Sequence, residues 1–599
     1  MFEFLIDLFK IKRIEDPKIK YSLEAIENFV DENINNMLIS SLDELGKTHE
    51  EVVNLRRRKE VFRSQLDLCG LGDIAAKQFI KSWISDLITQ KYNVSKSNIN
   101  YAINFNKPNT YDKFCILTNE YFKEYRYDAI KEFIYKNKLD KLKNINDEEM
   151  YAVTIEDIED IYEKEMADIS DLSFSEKLDI LVQRIYEDIQ GLSVIDEIRD
   201  MNSDGISFGV SGIPIDFESK ISDINIKSGI MHNFPMSYDS IWLYLGTKEI
   251  SLNFMTFGSQ RQLERVCRKI YRFNNNKQFT KDKGYIFNNM ADISRATVFR
   301  PPYSESWAGF IRKFDYDGTL EDMITGINSE IVIGIITYLM KSKRSVCFSG
   351  DQGAGKTTML IASARKLYAT STIRVWESYF ETFFRFKMPF RNVLTVRETE
   401  EIKGETALDS MKKSNGKITI VSESADDFSK AYVIKGALAA SECVEWTDHS
   451  ISEDELVETH RNALLNIGLF RDEDKAEEQV LRVLKWNVHL GTNEELGLRY
   501  IKRVTEFIRL DDKAYVDGND ERAFHQNSKM FFERKTNAKK YKTVNLIEYD
   551  EENRKYVIKN NFSEQSIKLM KEKLRKKDQL GFKLLLDQIE EQVKGEQQA

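Results

Sequence analysis

The pattern of apolar and polar positions separates a helical first part of the chain from later parts that mix helices with strands. Residues 20 to about 140 place apolar side chains at helical spacing between charged faces and contain almost no proline or glycine, which predicts a helical N-terminal region. Short runs with strand character follow at 205–210, 241–245 and 250–254. Together with helical patterns at 177–189 and 260–272, they predict an α+β region.

The pattern changes again at the apolar run 346–348. Buried-strand runs recur at 373–376, 392–397 and 418–421, with helical stretches between them. Strands that alternate with helices predict a mostly parallel sheet with crossover helices. Charged helical periodicity at 563–592 predicts a helical tail.

These changes predict five segments along the chain. They are a helical N-terminal extension (1–145), an acidic linker (146–171), an α+β domain (172–316), an α/β domain (317–562) and a helical tail (563–599). A length of 599 residues agrees with roughly three to four domains. The amphipathic stretch 1–10 is interpreted as a helix docked on its own domain and not as a membrane-surface helix, because so short a segment binds a bilayer weakly.

Composition indicates a globular protein that we expect in the cytoplasm. Hydrophobic residues make up 41% of the chain, and we find neither a signal peptide nor an apolar run of about 18 residues. The formal charge of -10 argues against a dominant nucleic-acid surface, so no direct nucleic-acid binding is expected, although local basic patches stay open. The five cysteines are scattered without a CxxC pair, which favours buried thiols over a disulfide framework or a zinc site.

The most specific chemical signal lies between the apolar run 346–348 and a helical stretch at 358–367. It consists of Gly350, Asp351, Gln352, Gly353, Ala354, Gly355, Lys356 and Thr357, with Thr358 next in the helix. Glycines in this pattern let backbone N–H groups turn inward around phosphate oxygens, Lys356 adds a positive charge, and Thr357 offers a hydroxyl to Mg²⁺. A preceding strand and a following helix are the context that such a loop requires. The chain is therefore predicted to bind a nucleotide.

Hydrolysis of a nucleotide also needs a carboxylate that holds Mg²⁺ or orients water. Glu423 follows a buried-strand run as a Walker B acid does, and we predict it as a metal ligand together with Thr357. Glu377 ends a second strand, with Glu381 soon after it, so both carboxylates are candidates for one pocket. His449 is a candidate sensor of the γ-phosphate. Each feature alone is weak, since strand-end acids are often solvated caps, but their order along the chain strengthens the assignment.

In this order the motifs resemble those of the secretion-superfamily ATPases of type II and type IV secretion and of type IV and Tad pili. The likeness is strongest to the CpaF-type Tad pilus assembly ATPase and its conjugation relatives, and it runs from about residue 180 to 506. Segments similar to the family's N-terminal domain and linker lie at 185–192, 194–196, 294–295, 300–302, 311–314 and 319–324. Several separate segments in the correct sequence argue against coincidence.

The resemblance implies positions for the family's other motifs. Its acidic box falls on 377–381, its Walker B on 421–423 and its His box on 447–449. The arginines that approach the phosphates from the N-terminal domain match Arg295 and Arg312. Catalytic roles are thus implied for Glu423, Glu377, Glu381, His449, Arg295 and Arg312.

The same resemblance implies an architecture and partners. We expect a RecA-like P-loop ATPase domain, preceded by an α+β N-terminal domain and a helical extension, with ATP and Mg²⁺ between the two domains. We also expect a homohexamer that works with a polytopic membrane platform protein. Such a motor would associate peripherally with the inner face of the cytoplasmic membrane.

The chain departs from the family pattern around the phosphates. Ser378 stands where the family has an acid, and Ser424 and Ala425 stand where the family has an apolar residue and an arginine. The segment 448–452 replaces the usual IHANS. Loss of a positive charge and a carboxylate would slow turnover where those groups act in the transition state. ATP binding is therefore a firmer prediction than fast hydrolysis.

Other functions stay open at this point. The altered motifs suit an ATP-binding regulatory or structural subunit of the same machine, and the conjugation relatives suit a motor for DNA transfer. A GTPase would use the NKxD pattern that 137–140 matches, but this pattern precedes the phosphate loop and is interpreted as surface charge on a helix.

Overall fold

A computed structural model describes most of the chain. The described residues are 16–39, 49–145, 148–166, 172–217, 234–272, 279–313, 318–399, 402, 404–439, 441–493, 496–510, 521–536 and 540–598. The predicted helix at 1–10 lies outside them. The chain divides into two compact units, unit 1 (Met1–Asp315) and unit 2 (Tyr316–Ala599).

Unit 1 begins with helices and continues into a sheet. Its helices are α1 (Pro17–Lys20), α2 (Leu23–Ile39), α3 (His49–Cys69), α4 (Ile74–Gln90), α5 (Thr110–Tyr125), α6 (Ala129–Lys136), α7 (Ile155–Met166), α8 (Phe174–Ile189), α9 (Asp196–Asp200) and α10 (Gln260–Ile270). Its strands are β1 (Leu142–Ile145), β2 (Glu148–Val153), β3 (Gly205–Phe208), β4 (Ile241–Leu245), β5 (Lys248–Leu252), β6 (Tyr285–Asn289), β7 (Arg295–Phe299) and β8 (Ala308–Arg312). They form one sheet in the order β1-β2-β5-β4-β3-β8-β7-β6.

The helical extension shares an apolar core with the first helix of the α+β region. Helix α8 begins at a capping box in which Ser173 and Glu176 bond each other's backbone N–H groups, which satisfies donors that a helix start otherwise leaves open. The buried Ile185 of this helix lies in the same apolar cluster as Val30 of α2 and Ile84 of α4. Burial of each such side chain stabilises the fold by about 1.5–3 kcal/mol.

The acidic segment 146–171, which is predicted to be a linker, contains β2 and α7. Strand β2 pairs in parallel with β5, and Ile158 of α7 is fully buried. Ile158 and Ile161 of α7 face the core at helical spacing, whereas Ile155 and the acidic side chains of this helix are exposed or half-buried.

Unit 2 contains a larger sheet with helices on its faces. Its helices are α11 (Leu320–Met323), α12 (Ser329–Lys341), α13 (Lys356–Ala364), α14 (Phe384–Lys387), α15 (Gly404–Lys412), α16 (Asp427–Ala439), α17 (Glu453–Asn466), α18 (Glu473–Val483), α19 (Glu521–Thr536), α20 (Glu564–Lys573) and α21 (Lys576–Gln598). Its strands are β9 (Val346–Gly350), β10 (Ile373–Glu377), β11 (Val393–Arg397), β12 (Ile418–Val421), β13 (Cys443–Asp448), β14 (Trp486–Asn493), β15 (Leu498–Arg509), β16 (Tyr541–Asp550) and β17 (Lys555–Ile558).

The order of this nine-stranded sheet is β11-β10-β12-β13-β9-β14-β15-β16-β17. Strands from β11 to β14 in that order run parallel, and the remaining pairs are antiparallel. One face packs on a core that includes Val346 and Phe348, and the other on a core that includes Cys347 and Trp446. This arrangement confirms the predicted α/β class and places β9, which leads into the phosphate-binding pattern, near the middle of the sheet.

The burial of the cysteines and the character of the helices bear on the sequence predictions. All five cysteines, Cys69, Cys115, Cys267, Cys347 and Cys443, are buried free thiols, as predicted. Among the helices of the described residues, none has the length and apolar character needed to cross a membrane.

Candidate functional site

The predicted site residues of unit 2 gather at one edge of the parallel sheet. Gly350 ends β9, Glu377 ends β10, Glu423 follows β12, and His449 follows β13. These strands are neighbours and run in the same direction, so their carboxyl ends meet along one edge. In open α/β sheets this is the edge at which ligands bind.

The phosphate loop has the backbone conformation that its glycines predict. Gly350 has a φ of +139°, and a Cβ there would lie 2.5 Å from the carbonyl oxygen of Leu490, so only glycine fits beside β14. Gly353, with a φ of +81°, has open space where a Cβ would stand. Gly355 is the left-handed N-cap of α13 and makes no side-chain cap, which leaves the first N–H groups of this helix available to an anion.

Lys356 is held across the loop by neutral acceptors. Its side chain is 7% exposed, and Nζ donates to the carbonyl oxygens of Gly350 and Asp351 at 2.9 Å each. The same Nζ lies 3.2 Å from Nδ1 of His449. The lysine therefore stands inside the loop, where phosphate oxygens could replace these carbonyls as its partners.

His449 joins the lysine to the predicted Walker B acid. Its Nε2 lies 3.0 Å from Oε1 of Glu423, and the two side chains are 43% and 44% exposed. A neutral imidazole that accepts from Lys356 at Nδ1 and donates to Glu423 at Nε2 satisfies both contacts, which assigns the tautomer from the network. We call this hydrogen-bonded series, Lys356–His449–Glu423, the strand-end relay.

The residues present fit a nucleotide triphosphate and Mg²⁺. The uncapped start of α13 and Lys356 supply donors and positive charge for phosphate oxygens. Thr357 and Thr358 lie half-buried in the first turn of that helix, while Glu423 keeps its carboxylate partly open to solvent. Hydroxyl and carboxylate oxygens are the ligands that Mg²⁺ prefers, so Thr357 and Glu423 would hold the ion.

The predicted acidic box has hydrogen bonds of its own. Glu377 is fully buried, and its Oε1 accepts from the backbone N–H groups of Glu381 and Thr382 at 3.2 and 2.9 Å. Within the described residues, its Oε2 has no hydrogen-bond partner. Burial raises the pKa of Glu377 to about 7. Glu377 thus shapes the turn that carries Glu381, and its second oxygen remains able to bind a proton or a donor.

The two predicted arginines belong to unit 1 and lie side by side there. Arg295 begins β7, Arg312 ends β8, and the two residues are directly paired across these antiparallel strands. The guanidinium of Arg295 lies 5.1 Å from the ring centre of Phe287, and Arg312 is exposed. Cross-strand pairing puts both side chains on the same face of the sheet, which makes them one basic pair within unit 1.

Sequence reasoning missed residues that only the folded sheet brings to the loop. Arg499 of β15 has its Cδ 3.8 Å from the place where a Cβ on Gly355 would stand. Beneath the loop, Ser349 Oγ lies 2.8 Å from Nδ1 of the buried His489, whose pKa burial and nearby cations lower to about 4. Arg499 and His489 belong to no local motif. Both reach the loop because β14 pairs with β9 and with β15.

The NKxD pattern at 137–140 has structural partners in unit 1. The side chain of Asn137 donates to Tyr121 Oη at 3.0 Å, and Asp140 pairs with Lys248 at 2.8 Å. These contacts tie the end of α6 to its neighbours, which agrees with a structural role for the pattern.

Some solved structures are similar to this chain at low sequence identity and low TM-scores. Neither a protein-family model nor a curated protein matches the chain. The chain is similar to the VirB11 ATPase of the Brucella suis type IV secretion system, with a TM-score of 0.26 and 15% identity over 44% of this chain and 89% of that chain. For the Legionella pneumophila ATPase DotB the TM-score is 0.34, with 14% identity over 57% and 85%. For the pilus retraction motor PilT with bound ADP it is 0.34, with 13% identity over 65% and 88%. Similarity at these values establishes neither a family nor a function for this chain.

Proposed function

We propose that the chain is an ATP-binding and ATP-hydrolysing motor of the secretion-ATPase superfamily that powers pilus assembly or type II or type IV secretion. The observation that carries this proposal is the strand-end relay at a complete phosphate loop. It joins a phosphate-binding lysine, a histidine and a strand-end acid, and these motifs follow the superfamily's order along the chain.

Each member of the relay has a task that its surroundings allow. Lys356 carries positive charge to the β- and γ-phosphates, at a place where the loop carbonyls now hold its amine. Glu423 and Thr357 would hold Mg²⁺, which when bound would supply positive charge against the phosphates. His449 hydrogen bonds both partners, so a change at the γ-phosphate that moves Lys356 would be passed to Glu423.

The proposal is tested by steady-state ATP hydrolysis of the purified full-length chain. Lys356→Ala is expected to lower phosphate release at least about a hundredfold, because it removes the charge at the γ-phosphate. Lys366→Ala is the matched control, since Lys366 makes a surface ion pair with Glu321 at 2.7 Å. Equal phosphate release from wild type and Lys356→Ala would overturn the proposal.

A second candidate function is an ATP-binding regulatory or structural subunit of the same kind of machine. It is favoured by Ser424 and Ala425, which replace the residues that usually follow the Walker B acid. Tight binding of ATP without multiple turnover would support this function. Turnover on the order of 0.1 to 1 per second or faster would exclude it, since ordinary enzymes work at or above the upper value.

The oligomer and the membrane partner are part of the same proposal. We expect a homohexamer that docks on a polytopic membrane platform protein at the inner face of the cytoplasmic membrane, with no direct contact to nucleic acid. Mass measurement with and without a non-hydrolysable ATP analogue tests the hexamer, and a mass that stays at one chain under both conditions contradicts it. Neighbouring genes for a relaxase and a coupling protein would favour DNA transfer over a pilus.

A further inference from the structure

A buried carboxylate lies directly behind the strand-end relay. Asp448 is the last residue of β13 and is fully buried. Its Oδ1 accepts from the backbone N–H of Ser450 at 2.8 Å and also from the hydroxyl of Ser450. Its Oδ2 accepts from the hydroxyl of Ser424 at 2.6 Å.

The partners of Asp448 are the sequence neighbours of the relay. Ser424 follows Glu423, and Ser450 follows His449. Ser424 is also anchored through its backbone N–H, which donates to the carbonyl oxygen of Thr447 at 2.9 Å. Its hydroxyl oxygen lies 2.8 Å from the same carbonyl oxygen, so its one proton is shared between Thr447 and Asp448. One carboxylate thus ties the loop after β12 to the loop after β13, immediately beside the Glu423–His449 contact.

The charge of Asp448 is balanced from within unit 2. Burial alone would raise its pKa, but His460, Lys430 and the hydrogen bonds of both serines outweigh burial and hold the pKa below its usual range. Lys430 Nζ lies 3.5 Å from Oδ2. His460 Nε2 lies 4.0 Å away, and burial lowers the pKa of His460, so Lys430 carries the balancing charge at neutral pH.

We propose that Asp448 is a positioning residue that holds Glu423 and His449 in hydrogen-bonding distance by clamping their two loops through Ser424 and Ser450. The inference rests on the proposed function. It also gives a role to the serine that replaces the family's residue after the Walker B acid, because its hydroxyl is one half of the clamp. A charged acceptor suits this task, since hydrogen bonds to ionised groups are roughly twice as strong as neutral ones.

The test uses Ser424→Ala in the full-length chain, with Asp448→Asn as a second variant. Loss of the clamp should lower kcat for ATP about tenfold, the scale on which outer-shell partners act, while KM and the Kd for a fluorescent ATP analogue change less than about twofold. Ser342→Ala is the matched control, because Ser342 is also fully buried but donates to the carbonyl of Tyr338 in α12, the helix that it directly follows. Its kcat should equal that of wild type.

A second readout follows the geometry without requiring turnover. The chain has six histidines, and with ¹³Cε1-labelled histidine the NMR signal that is lost in His449→Gln identifies His449. Ser424→Ala and Asp448→Asn should shift this signal in nucleotide-free protein, whereas Ser342→Ala should not.

The outcomes separate the clamp from the proposed function. A lowered kcat together with a shifted His449 signal supports the clamp. Wild-type kcat in Ser424→Ala overturns it, whatever the signal does. Where the wild type shows no Lys356-dependent hydrolysis, the proposed function fails, and the His449 signal alone decides: a shift supports the clamp and an unmoved signal overturns it.

Discussion

Glu445 and Asp448 lie on the same strand, β13, yet the two faces of the sheet surround their carboxylates in opposite ways. Both side chains are fully buried. Among the described residues no donor reaches either oxygen of Glu445, and burial raises its pKa to about 8. Asp448 accepts hydrogen bonds from two serines and keeps a lowered pKa.

The difference follows from strand geometry. Successive side chains of a strand point to opposite faces, so Glu445 shares the face of its register partner Val346, in the apolar core under α13. Asp448 lies on the other face and at the strand end, where two loops deliver donors. Burial alone therefore does not decide the charge of these two acids, because Asp448 has basic side chains and two serine donors close to it, whereas Glu445 has neither within the described part of the chain. The end of β13 is prepared for charge and its middle is not.

The largest expected effect comes from removing the carboxylate of Glu423, and it tests whether the functional groups lie at the carboxyl ends of the strands. Glu423→Gln keeps the shape of the side chain but removes the carboxylate charge that would hold Mg²⁺. We expect ATP turnover to fall about a hundredfold, equivalent to about 2.7 kcal/mol, with nucleotide binding changed far less. Steady-state phosphate release and binding of a fluorescent ATP analogue measure the two quantities.

The control for this variant is an acid at the opposite edge of the same sheet. Glu442 lies just before β13 and forms an ion pair with Lys343. Glu442→Gln should therefore leave turnover at the wild-type value. A loss of turnover in Glu442→Gln as large as in Glu423→Gln would show that the strand-end position has no special role.

The sequence allowed much of the sheet to be predicted because its parallel strands are continuous apolar runs. The runs at 373–376 and 418–421 match β10 and β12 within a residue. Strand β13 was not predicted, since Glu445 and Asp448 interrupt its apolar pattern. An acidic residue inside an apolar run predicts a loop as long as the donors or the core that surround it in the fold are unknown.

Only those residues of the candidate site that belong to local sequence motifs could be predicted. The phosphate loop and Glu423 were predicted from their places after apolar strand runs, and His449 from the order of the motifs along the chain. The structure brings Lys356, His449 and Glu423 into one relay. Arg499 and the Asp448 clamp depend on which strands are neighbours, and strand order is not written in any local pattern. Catalytic roles remain predictions for Glu423, His449, Glu377, Glu381, Arg295 and Arg312.

A second, smaller effect should appear as pH dependence of stability from Glu445. Its pKa rises from 4.5 to about 8 on folding, so the native state keeps a proton that the unfolded state loses in this range. Stability from this group is complete below pH 4.5 and falls as pH rises towards 8, because the unfolded state binds fewer protons. We expect a loss of about 2 kcal/mol across this window, less than the full shift implies at about 1.4 kcal/mol for each pH unit.

Glu445→Gln isolates this contribution, since the amide does not titrate. The free energy of unfolding of the wild type minus that of the variant should become more negative from pH 5 to pH 8, because only the wild type loses stability from this group over this range. Urea unfolding followed by ¹⁹F NMR at 5-fluorotryptophan-labelled Trp446, the next residue of β13, reports on unit 2 itself. A difference that is constant with pH would mean that Glu445 ionises normally in the folded protein.

The smallest effect is expected for two buried serines, one with a hydrogen-bond acceptor and one without an acceptor in the described part of the chain. Ser450 donates its hydroxyl to Asp448, whereas the hydroxyl of Ser363 in α13 has no partner among the described residues. Ser450→Ala should lower the free energy of unfolding by about 1 kcal/mol, the net value of one hydrogen bond, although the backbone N–H of Ser450 still serves Asp448. Ser363→Ala removes an unsatisfied polar group and should leave stability unchanged or slightly raised. The same urea measurement at pH 7 compares both variants. Equal losses of unfolding free energy in both variants would mean that hydrogen-bond partners do not distinguish the two faces of the sheet. A loss confined to Ser450→Ala would show that the donors at the end of β13 cause the difference between the two faces.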